Sequence, residues 1–439
     1  MRLEGLSDRD AMRALRDRIS WKVATGLPLD SEGFDYSVLT YWRGRLRRSE
    51  RPERIFEAVR EVIDATGAVK GRQRRALDST LLDDAVATQD TVTQLISAIR
   101  RVRRQVPDLA GVVLSAHDYD AGGKPVIAWD DPVAKDLLVT GLVNDALALL
   151  DAASTTTLDT EASDALGLLA LVAGQDVEPS DQPGSWRIAQ RVTKGRVISV
   201  VDPESRHMHK SVSSYRDGYK AHIAVEPETG IITSAVLTPA NVTDGDIAPA
   251  LVIDEVAPVT VLADSAYGAG GVRASFHGAG HRVVIKPKPL HRAVPGGFTR
   301  DDFVVDHAAG VVTCPAGLTA RITRSNIATF GARCTGCGLQ SRCTTRKRGR
   351  KITLTADDAE LVAARRQWQD HSVTDEYRTY RPMVERGLAW FAAKGNRRVR
   401  YRGVARNDAW LKTRVAALNL RRLVRLGLTY DNGFVLNTT

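Results

Sequence analysis

The residues most able to carry chemistry are four carboxylates at comparable places in separate segments. The segment VTVLADSAYG at 259–268 has the pattern of a short buried strand that ends on Asp264. Asp78, in ALDST, has a similar setting, and Asp202 ends the β-rich run VISVVD. Glu385 lies beside the apolar face of the helical pattern YRPMVERGLAWF, so its carboxylate is expected to point at a sheet. These patterns predict acids gathered at one sheet edge.

Carboxylates gathered in this way form a site for divalent metal ions, because Mg²⁺ prefers hard oxygen ligands. Two such ions about 4 Å apart can support an in-line phosphoryl displacement, which requires no histidine or cysteine. Each acid taken alone is more typical of a surface turn or of an ion pair with one of the many arginines than of a metal site. The prediction therefore depends on the acids converging.

The elements that must position these acids change character along the chain. The first 70 or so residues and residues 88–190 have mainly helical periodicity, whereas residues 193–310 are rich in strand patterns. Within the latter, two β-rich runs flank EPETG, which is typical of a hairpin turn. Helical patterns return in the last part of the chain, where Glu385 lies. An α/β fold follows from this order.

The composition narrows the classes of protein. The 439 residues carry a net charge of +10, which fits a polyanionic partner or a charged solubilising surface. No uninterrupted run of about 18 apolar residues exists, so no membrane span is expected. The first residues are charged where a signal peptide needs an apolar core, which favours a cytoplasmic protein.

The order ALDST, DGYKAHIAVEPETGIITSAVLTPANVTDGD, VLADSAYG and YRPMVERGLAW resembles the DDE transposases of bacterial insertion sequences. The resemblance covers nearly the whole chain, since GLPLDSEGFDYSVLTYWRGRL is similar to their amino-terminal domain. It implies a ribonuclease H-like mixed sheet flanked by helices, in an α/β (α+β) fold. The expected parts are a helical N-terminal DNA-binding domain at 1–70, the first acidic motif with a helical insertion at 71–190, the catalytic core at 191–310, a Cys₄ zinc-ribbon-like insert at 311–352, and C-terminal helices with the catalytic Glu at 353–439.

The resemblance implies that Asp264 is the second Asp of the catalytic triad and Glu385 its final Glu. Arg381, four residues before that Glu, stands where related transposases often carry an Arg. The chain departs from the fuller signature nearby, with Arg378 where a Tyr is expected and Ala392 where a Lys is expected. The departures affect auxiliary DNA contacts and leave the Glu assignment intact.

The first Asp has two candidates. Asp78, followed by Ser79 and Thr80, is similar to the family's first acidic motif, but a helical insertion of about 110 residues must then follow it. Asp202 has the better local pattern, because VISVVD has the character of a strand and directly precedes the next strands. The strand pattern favours Asp202, but we favour Asp78 because of the motif. Asp202 would then lie near the site, in the basic loop DPESRHMHK.

The implied activity is DNA transposition. Two Mg²⁺ or Mn²⁺ ions would bridge the acids, a water would cut at the transposon end, and the freed 3′-hydroxyl would attack target DNA. The implied partners are double-stranded DNA, at the terminal inverted repeats and the target, and further copies of the chain in a dimer or larger synapse. The implied location is the bacterial cytoplasm, in association with the nucleoid. No Walker-type motif is present, so no ATP is implied.

Basic residues are expected to contact the DNA backbone in three places. A stripe beside Tyr41 and Trp42 fits a small helical DNA-binding unit or a helical cap with a solvated face. Further candidates lie near the strands and around the Glu385 helix. The full set is Arg43, Arg45, Arg47, Arg48, Lys210, Lys220, Arg381, Arg398 and Arg400.

All four cysteines, Cys314, Cys334, Cys337 and Cys343, fall within one segment of the chain. In a cytoplasmic protein this clustering favours a metal over disulfides. One C-x-x-C pair with two outlying cysteines can complete a tetrahedral zinc site, although four reduced thiols remain an alternative. Structural zinc is the second metal expected.

Two other classes of protein share most of these features. One is a transposase-derived DNA-binding protein without turnover, and the other is a metal-dependent nuclease that cuts without joining. The presence of every candidate acid argues against a decayed enzyme.

Overall fold

A computed structural model describes residues 1–190, 193, 195–211, 214–430 and 432–436, and the side chains of these residues apart from those at 209–211 and 214. Its centre is a six-stranded mixed sheet. The strands of this sheet are β1 (Arg74–Asp83), β4 (Arg206–Ser211), β5 (Ser214–Glu226), β6 (Ile231–Pro239), β7 (Thr260–Ala263) and β8 (Arg282–Ile285).

The sheet runs β6-β5-β1-β7-β8, and β4 pairs with the first part of β5. Strands β5 and β6 form a hairpin around EPETG, as predicted, and β5 is antiparallel to β1. Strands β1, β7 and β8 are mutually parallel. The expected mixed sheet is therefore present, and its order is consistent with the ribonuclease H-like sheet that the resemblance implies.

The central strands lie in the sheet because both of their faces are apolar. Ala76 and Leu77 of β1 point to opposite faces and are both fully buried, and β5 contributes the buried run from Ala221 to Val225. Such continuous apolar strands are typical of sheets covered on both faces. Asp78 directly follows this buried part of β1, so the core packing fixes the height at which its carboxylate lies.

The N-terminal helices are α1 (Asp8–Asp17), α2 (Ile19–Thr25), α3 (Ser37–Arg47) and α4 (Arg54–Ala65). Ser7 caps α1 by accepting from the Asp10 amide at 3.1 Å, and Gly26 ends α2 in a left-handed conformation, which glycine adopts without steric cost. Helix α4 buries Phe56 and Val59 in the same apolar core as Trp410. This part of the chain is thus packed onto the body that holds the main sheet.

Between β1 and β4 lie α5 (Thr91–Gln105), α6 (Pro132–Ala153) and α7 (Thr160–Gln175), followed by a small hairpin of β2 (Val177–Pro179) and β3 (Trp186–Ile188). The three helices form a second apolar core around Leu95, Leu142 and Leu169, each fully buried. Asp131 caps the start of α6. Pro132 follows at the first position of the helix, where a proline loses no hydrogen bond.

The stretch after β8 forms a small, separately packed unit. Phe303, Val312 and Phe330 lie in its own apolar core, with Cys314, Cys334 and Cys343 against it. Its elements are β9 (Val304–Asp306), β10 (Val311–Thr313), β11 (Thr319–Arg321), β12 (Ile327–Thr329), α10 (Gln340–Cys343) and β13 (Lys351–Thr353).

Two short helices precede it, α8 (Asp244–Ile247) after β6 and α9 (Gly270–Gly278) after β7.

The C-terminal helices cover the sheet. They are α11 (Asp358–Gln367), α12 (His371–Tyr380), α13 (Pro382–Ala392) and α14 (Val404–Arg425), followed by a hairpin of β14 (Leu428–Tyr430) and β15 (Phe434–Leu436). Val384, Leu388 and Phe391 of α13 enter the main core, as the apolar pattern predicts. No helix in the described part of the chain is both long and apolar enough to cross a membrane.

Two local predictions are wrong. The run VISVVD is not a strand, because only Val197 in it makes a β-bridge, to Arg206. The segment from Arg206, expected as a loop, is instead β4, which pairs with the start of β5. The apolar side chains Val197 and Val200 are buried among the helices α5–α7, which explains their strand-like composition without a strand.

Candidate active site

Asp78 and Asp264 are brought together by the parallel pairing of β1 and β7. In this pairing Ala76 lies opposite Leu262, and each acid follows two residues later. Neighbouring strands lie about 4.8 Å apart, so the two carboxylates leave the sheet side by side. Each is fixed locally, because Asp78 Oδ1 accepts from the Ser79 amide at 2.8 Å and Asp264 Oδ1 accepts from the Ala266 amide at 2.8 Å.

Arg381, at the junction between α12 and α13, connects Asp78 to Glu385. Its Nη2 lies 2.9 Å from Asp78 Oδ2, and its Nη1 lies 3.3 Å from Glu385 Oε1. The Arg381 side chain is 5% exposed, whereas the Glu385 side chain is 67% exposed. One buried guanidinium therefore holds two carboxylates that are about 300 positions apart in the sequence.

The prediction that Glu385 points at the sheet is wrong in its detail. The apolar residues around it do face the sheet, but Glu385 itself lies on the open side of α13 with its carboxylate at the surface. Exposure leaves this acid accessible to a ligand from solvent. The helix nevertheless brings it to Asp78, because the i, i+4 spacing places Arg381 and Glu385 on one face.

Tyr377, in α12, lies close to all of these groups. Burial raises the pKa of its phenol, and the nearby carboxylates of Asp264, Glu385 and Asp78 raise it further, against the charge of Arg381. The charges of all three acids are therefore felt at the end of α12. The motif does not identify Tyr377, because it expects a Tyr at the position that Arg378 occupies. Tyr377 lies four residues before Arg381, so the helical period places the two side chains on the same side.

The electrostatics of Asp78 show two opposed effects. Burial raises the pKa of this carboxyl group, as does the charge of Asp264, whereas Arg381 and the Ser79 amide lower it. The net pKa is raised, so burial exceeds the combined stabilisation by the guanidinium and the amide. A second positive charge close to Asp78 and Asp264 would relieve this cost.

Within the described ranges, no group of three or more His, Cys, Asp or Glu residues has the spacing needed to hold a metal ion. The acids nevertheless have the right chemistry, since carboxylate oxygens are the donors that Mg²⁺ and Mn²⁺ prefer. The charge of Asp264 acts on Asp78, and the buried guanidinium of Arg381 is the counter-charge of Asp78. The residues Asp78, Asp264 and Glu385 are those that could hold divalent ions.

Asp202, the alternative first Asp, lies elsewhere. Its Oδ1 accepts from the Tyr219 hydroxyl at 2.6 Å and from the Gly403 amide at 3.1 Å, and the residue is 1% exposed. Tyr219 pairs with Leu82, which is four residues beyond Asp78 along β1, or about 13 Å at the usual rise. The structure therefore groups Asp78, and not Asp202, with Asp264 and Glu385.

Two of the expected DNA contacts are buried. Lys220 is 2% exposed, and its Nζ lies 3.2 Å from Asp244 Oδ1 and donates to the Val242 carbonyl at 2.8 Å. Arg381 is committed to Asp78 and Glu385 as described above. Neither side chain presents its charge at the surface, because the neighbouring carboxylates, which the sequence pattern did not reveal, take up that charge. The side chain of Lys210 lies outside the described residues.

The remaining basic candidates lie at the surface or partly so. Arg45 and Arg48 are exposed, Arg43 pairs with Asp8, and the Arg45 guanidinium stacks on Trp42. A cavity of about 380 Å³ lies between α3, α4 and α14. The basic residues that line this cavity are Arg2, Arg43, Arg47, Arg406 and Lys412.

The loop after α13 lies beside β1. The Asp83 amide donates to the Arg397 carbonyl at 2.9 Å, and Arg398, exposed overall, donates from Nε to the Asp84 carbonyl at 2.8 Å. Arg400 is partly exposed and donates to the Gly5 carbonyl. These backbone contacts fix the loop, so its exposed arginines stay next to the strand that carries Asp78.

The four cysteines line one small cavity in the unit between β9 and β13. Burial raises the pKa of the Cys343 thiol, as do the neighbouring thiols of Cys334, Cys314 and Cys337, whereas Arg350 lowers it. The thiols are thus close enough to influence one another, although the spacing is not that of a formed metal site.

Comparisons with known families cover both ends of the chain. The family described as transposase DDE domain matches residues 190–420, a range that includes Asp264 and Glu385 and begins after Asp78. A second family, transposase domain (DUF772), matches residues 1–45. No curated protein and no solved structure matched the chain in the same comparisons. Since the first match covers more than half of the 439 residues, the chain belongs to the DDE transposase family of insertion sequences.

Proposed function

We propose that this protein binds the terminal inverted repeats of its element and catalyses metal-dependent cleavage and strand transfer with Asp78, Asp264 and Glu385. The observation that carries the proposal is the convergence of these three acids, from β1, the end of β7 and α13, around Arg381 and Tyr377. When bound, two Mg²⁺ or Mn²⁺ ions would supply activation of the attacking oxygen and stabilisation of the leaving oxygen.

The residues of the chain would each make a distinct contribution. Asp78 and Asp264 are held by backbone amides, so they offer preorganised oxygen donors. Glu385, exposed on α13, would complete the donor set from the solvent side. Arg381 would act as the counter-charge of Asp78 and Glu385 before metal binding, because its guanidinium contacts both carboxylates.

The DNA would follow the exposed arginines. Those of the loop after α13 lie along β1, and Arg406 shares a cavity lining with Arg43 and Arg47 of α3. We propose that the N-terminal helices and this loop form one continuous basic surface for the transposon end. Because two ends must be joined in one event, a dimer or larger synapse is the proposed working form.

An assay with the element's ends, a plasmid target and Mg²⁺ or Mn²⁺ tests the proposed function. Joined products are expected from the unmodified protein. Cuts without joining would instead indicate a nuclease, and a bound but intact complex would indicate a DNA-binding regulator. Asp264→Asn is the matched control, because it keeps the shape of the side chain and should bind the ends without cutting them.

We further propose that the four cysteines bind a structural Zn²⁺. The donor set fits, since four soft sulfur ligands line a single cavity beside the apolar core of their unit. Metal analysis of reduced, untagged protein should give about one zinc per chain, with loss of zinc and a lower Tm in Cys337→Ser. Absence of zinc from such a preparation would leave the unit as a cluster of reduced thiols.

A further inference from the structure

We propose that Asp244 is a positioning residue: it holds Ser79, and the backbone amide of Ser79 orients the catalytic acid Asp78. This inference rests on the proposed metal-dependent function and deepens it. Asp244 lies at the start of α8, outside the set of acids that the sequence singled out. Its Oδ1 accepts from the Ser79 hydroxyl at 2.8 Å, and its side chain is 15% exposed.

Ser79 connects this carboxylate directly to Asp78. Its backbone amide donates to Asp78 Oδ1, while its hydroxyl donates to Asp244, so one residue is held at both ends. Movement of the Ser79 hydroxyl away from Asp244 would rotate the same residue whose amide orients Asp78. Asp244 therefore acts on the first catalytic acid through a two-bond relay and touches no reacting atom.

The other side of Asp244 faces two buried side chains of β5, one of them the ammonium group of Lys220 and the other the imidazole of His222. Lys220 Nζ lies 3.2 Å from Asp244 Oδ1 with its side chain 3% exposed, and His222 Nδ1 lies 3.6 Å away in a fully buried ring. His222 pairs with Ser79 across the sheet. The buried ammonium group needs a counter-charge, and Asp244 supplies it. This pair holds Asp244 at the height of Ser79.

The same cluster reaches the second acid. Tyr267 lies three residues after Asp264, in the turn that Asp264 caps, and its ring is fully buried. Burial raises the pKa of this phenol, and the charges of Asp244, Asp78 and Asp264 raise it further. The phenol is thus affected by the charge of the proposed positioning residue and by the charges of the two acids on the parallel strands.

The network explains why a lysine and a histidine are buried beside a catalytic sheet edge. Lys220 also holds the Val242 carbonyl, two residues before Asp244, so the connection between β6 and α8 is fixed as well. In metal sites, partners of this kind set the orientation of the ligands, and their loss typically reduces metal affinity by about 10- to 100-fold.

Ser79→Ala tests the relay without disturbing the buried charge pair. The probe is Mn²⁺ alone, measured by electron paramagnetic resonance, together with the half-saturating Mn²⁺ concentration for DNA cleavage. We expect Ser79→Ala to weaken both by about tenfold, with DNA affinity and Tm close to those of the unmodified protein. Ser79→Thr, which retains the hydroxyl, should restore Mn²⁺ binding.

Ser163→Ala is the matched control, because this serine is exposed on α7, away from the sheet that carries the acids. The double variant Asp244→Leu with Lys220→Met removes the charge pair together with the acceptor of the Ser79 hydroxyl, and it should weaken Mn²⁺ binding as Ser79→Ala does. If the unmodified protein binds Mn²⁺ and cuts DNA, and Ser79→Ala matches it in both, the inference is overturned and the proposed function stands. If the unmodified protein does neither, the proposed function fails and takes the inference with it.

Discussion

Arg381 and Asp78 form a buried ion pair, with Nη2 of the guanidinium 2.9 Å from Oδ2 of the carboxylate. The pair joins the junction of α12 and α13 to the central strand of the sheet. The second arm of the same guanidinium reaches Glu385. One arginine thus sets the relative placement of the first and last acids of the proposed triad.

Loss of this arginine should destabilise the fold. Arg381→Met leaves the Asp78 carboxylate without its buried counter-charge, so the free energy of unfolding should fall by about 3 kcal/mol in urea titrations. Arg378→Met is the control, because its partner Asp375 is exposed and the pair should contribute less than about 1 kcal/mol. Equal effects of the two substitutions would contradict the account of Arg381.

The fall in the free energy of unfolding at acidic pH should depend on His222. Burial lowers the pKa of this imidazole from 6.5 to about 4. Below pH 6.5 the imidazole of His222 is therefore protonated in the unfolded chain, whereas in the folded protein it is protonated only below about pH 4. The contribution of His222 is complete above pH 6.5 and is lost as the pH falls through this window, at no more than about 1.4 kcal/mol per pH unit.

His222→Gln should reduce this fall, since the amide does not titrate. The measurement is the urea midpoint as a function of pH between neutrality and about pH 5. His291→Gln, at an exposed histidine, should leave the pH dependence as it is. An unchanged slope in His222→Gln would show that other groups govern the fall at acidic pH.

Substitution of Glu385 should reduce catalytic activity strongly and stability only slightly. Its side chain is 67% exposed and its only described ion pair is with Arg381, so Glu385→Gln should change the unfolding free energy by less than about 1 kcal/mol. Cleavage of transposon-end DNA should nevertheless fall at least about 100-fold. A fall in activity matched by a large fall in Tm would point to a structural role instead.

Arg414 should support the helix that carries Glu385. The side chain is 1% exposed and donates to the carbonyls of Phe391, Trp390 and Ala393, at the end of α13. Arg414→Met would leave these buried acceptors unsatisfied, so calorimetry should show a loss of at least about 3 kcal/mol. Arg425→Met, exposed in the last turn of α14, should have little effect, and parity between the two would refute the capping role.

The sequence predicted the elements well where periodicity and capping chemistry were strong. The β5–β6 hairpin and the strand that ends on Asp264 are both present. The same criterion failed for VISVVD, whose valines are buried by helices and not by strand neighbours. An apolar composition indicates that a segment is buried. It does not show whether the segment packs against helices or pairs with strands, because both produce the same apolar run.

The grouping of the acids was predictable only in part. Motif order placed Asp78, Asp264 and Glu385 together, while local strand pattern favoured Asp202. The register Ala76 to Leu262, which decides between them, depends on a pairing between segments far apart in the chain. The burial of Lys220 and Arg381 was equally hidden, because it depends on partners, Asp244 and Asp78, that no spacing connects to them.

The most direct test of the account compares Asp78→Asn with Asp202→Asn in the Mg²⁺-dependent cleavage of transposon-end DNA. The predicted result is that Asp78→Asn binds the ends without cutting them, while Asp202→Asn still cuts, with a Tm altered by its buried contacts with Tyr219 and Gly403. Full cleavage by Asp78→Asn, with none by a folded Asp202→Asn, would contradict the site described here.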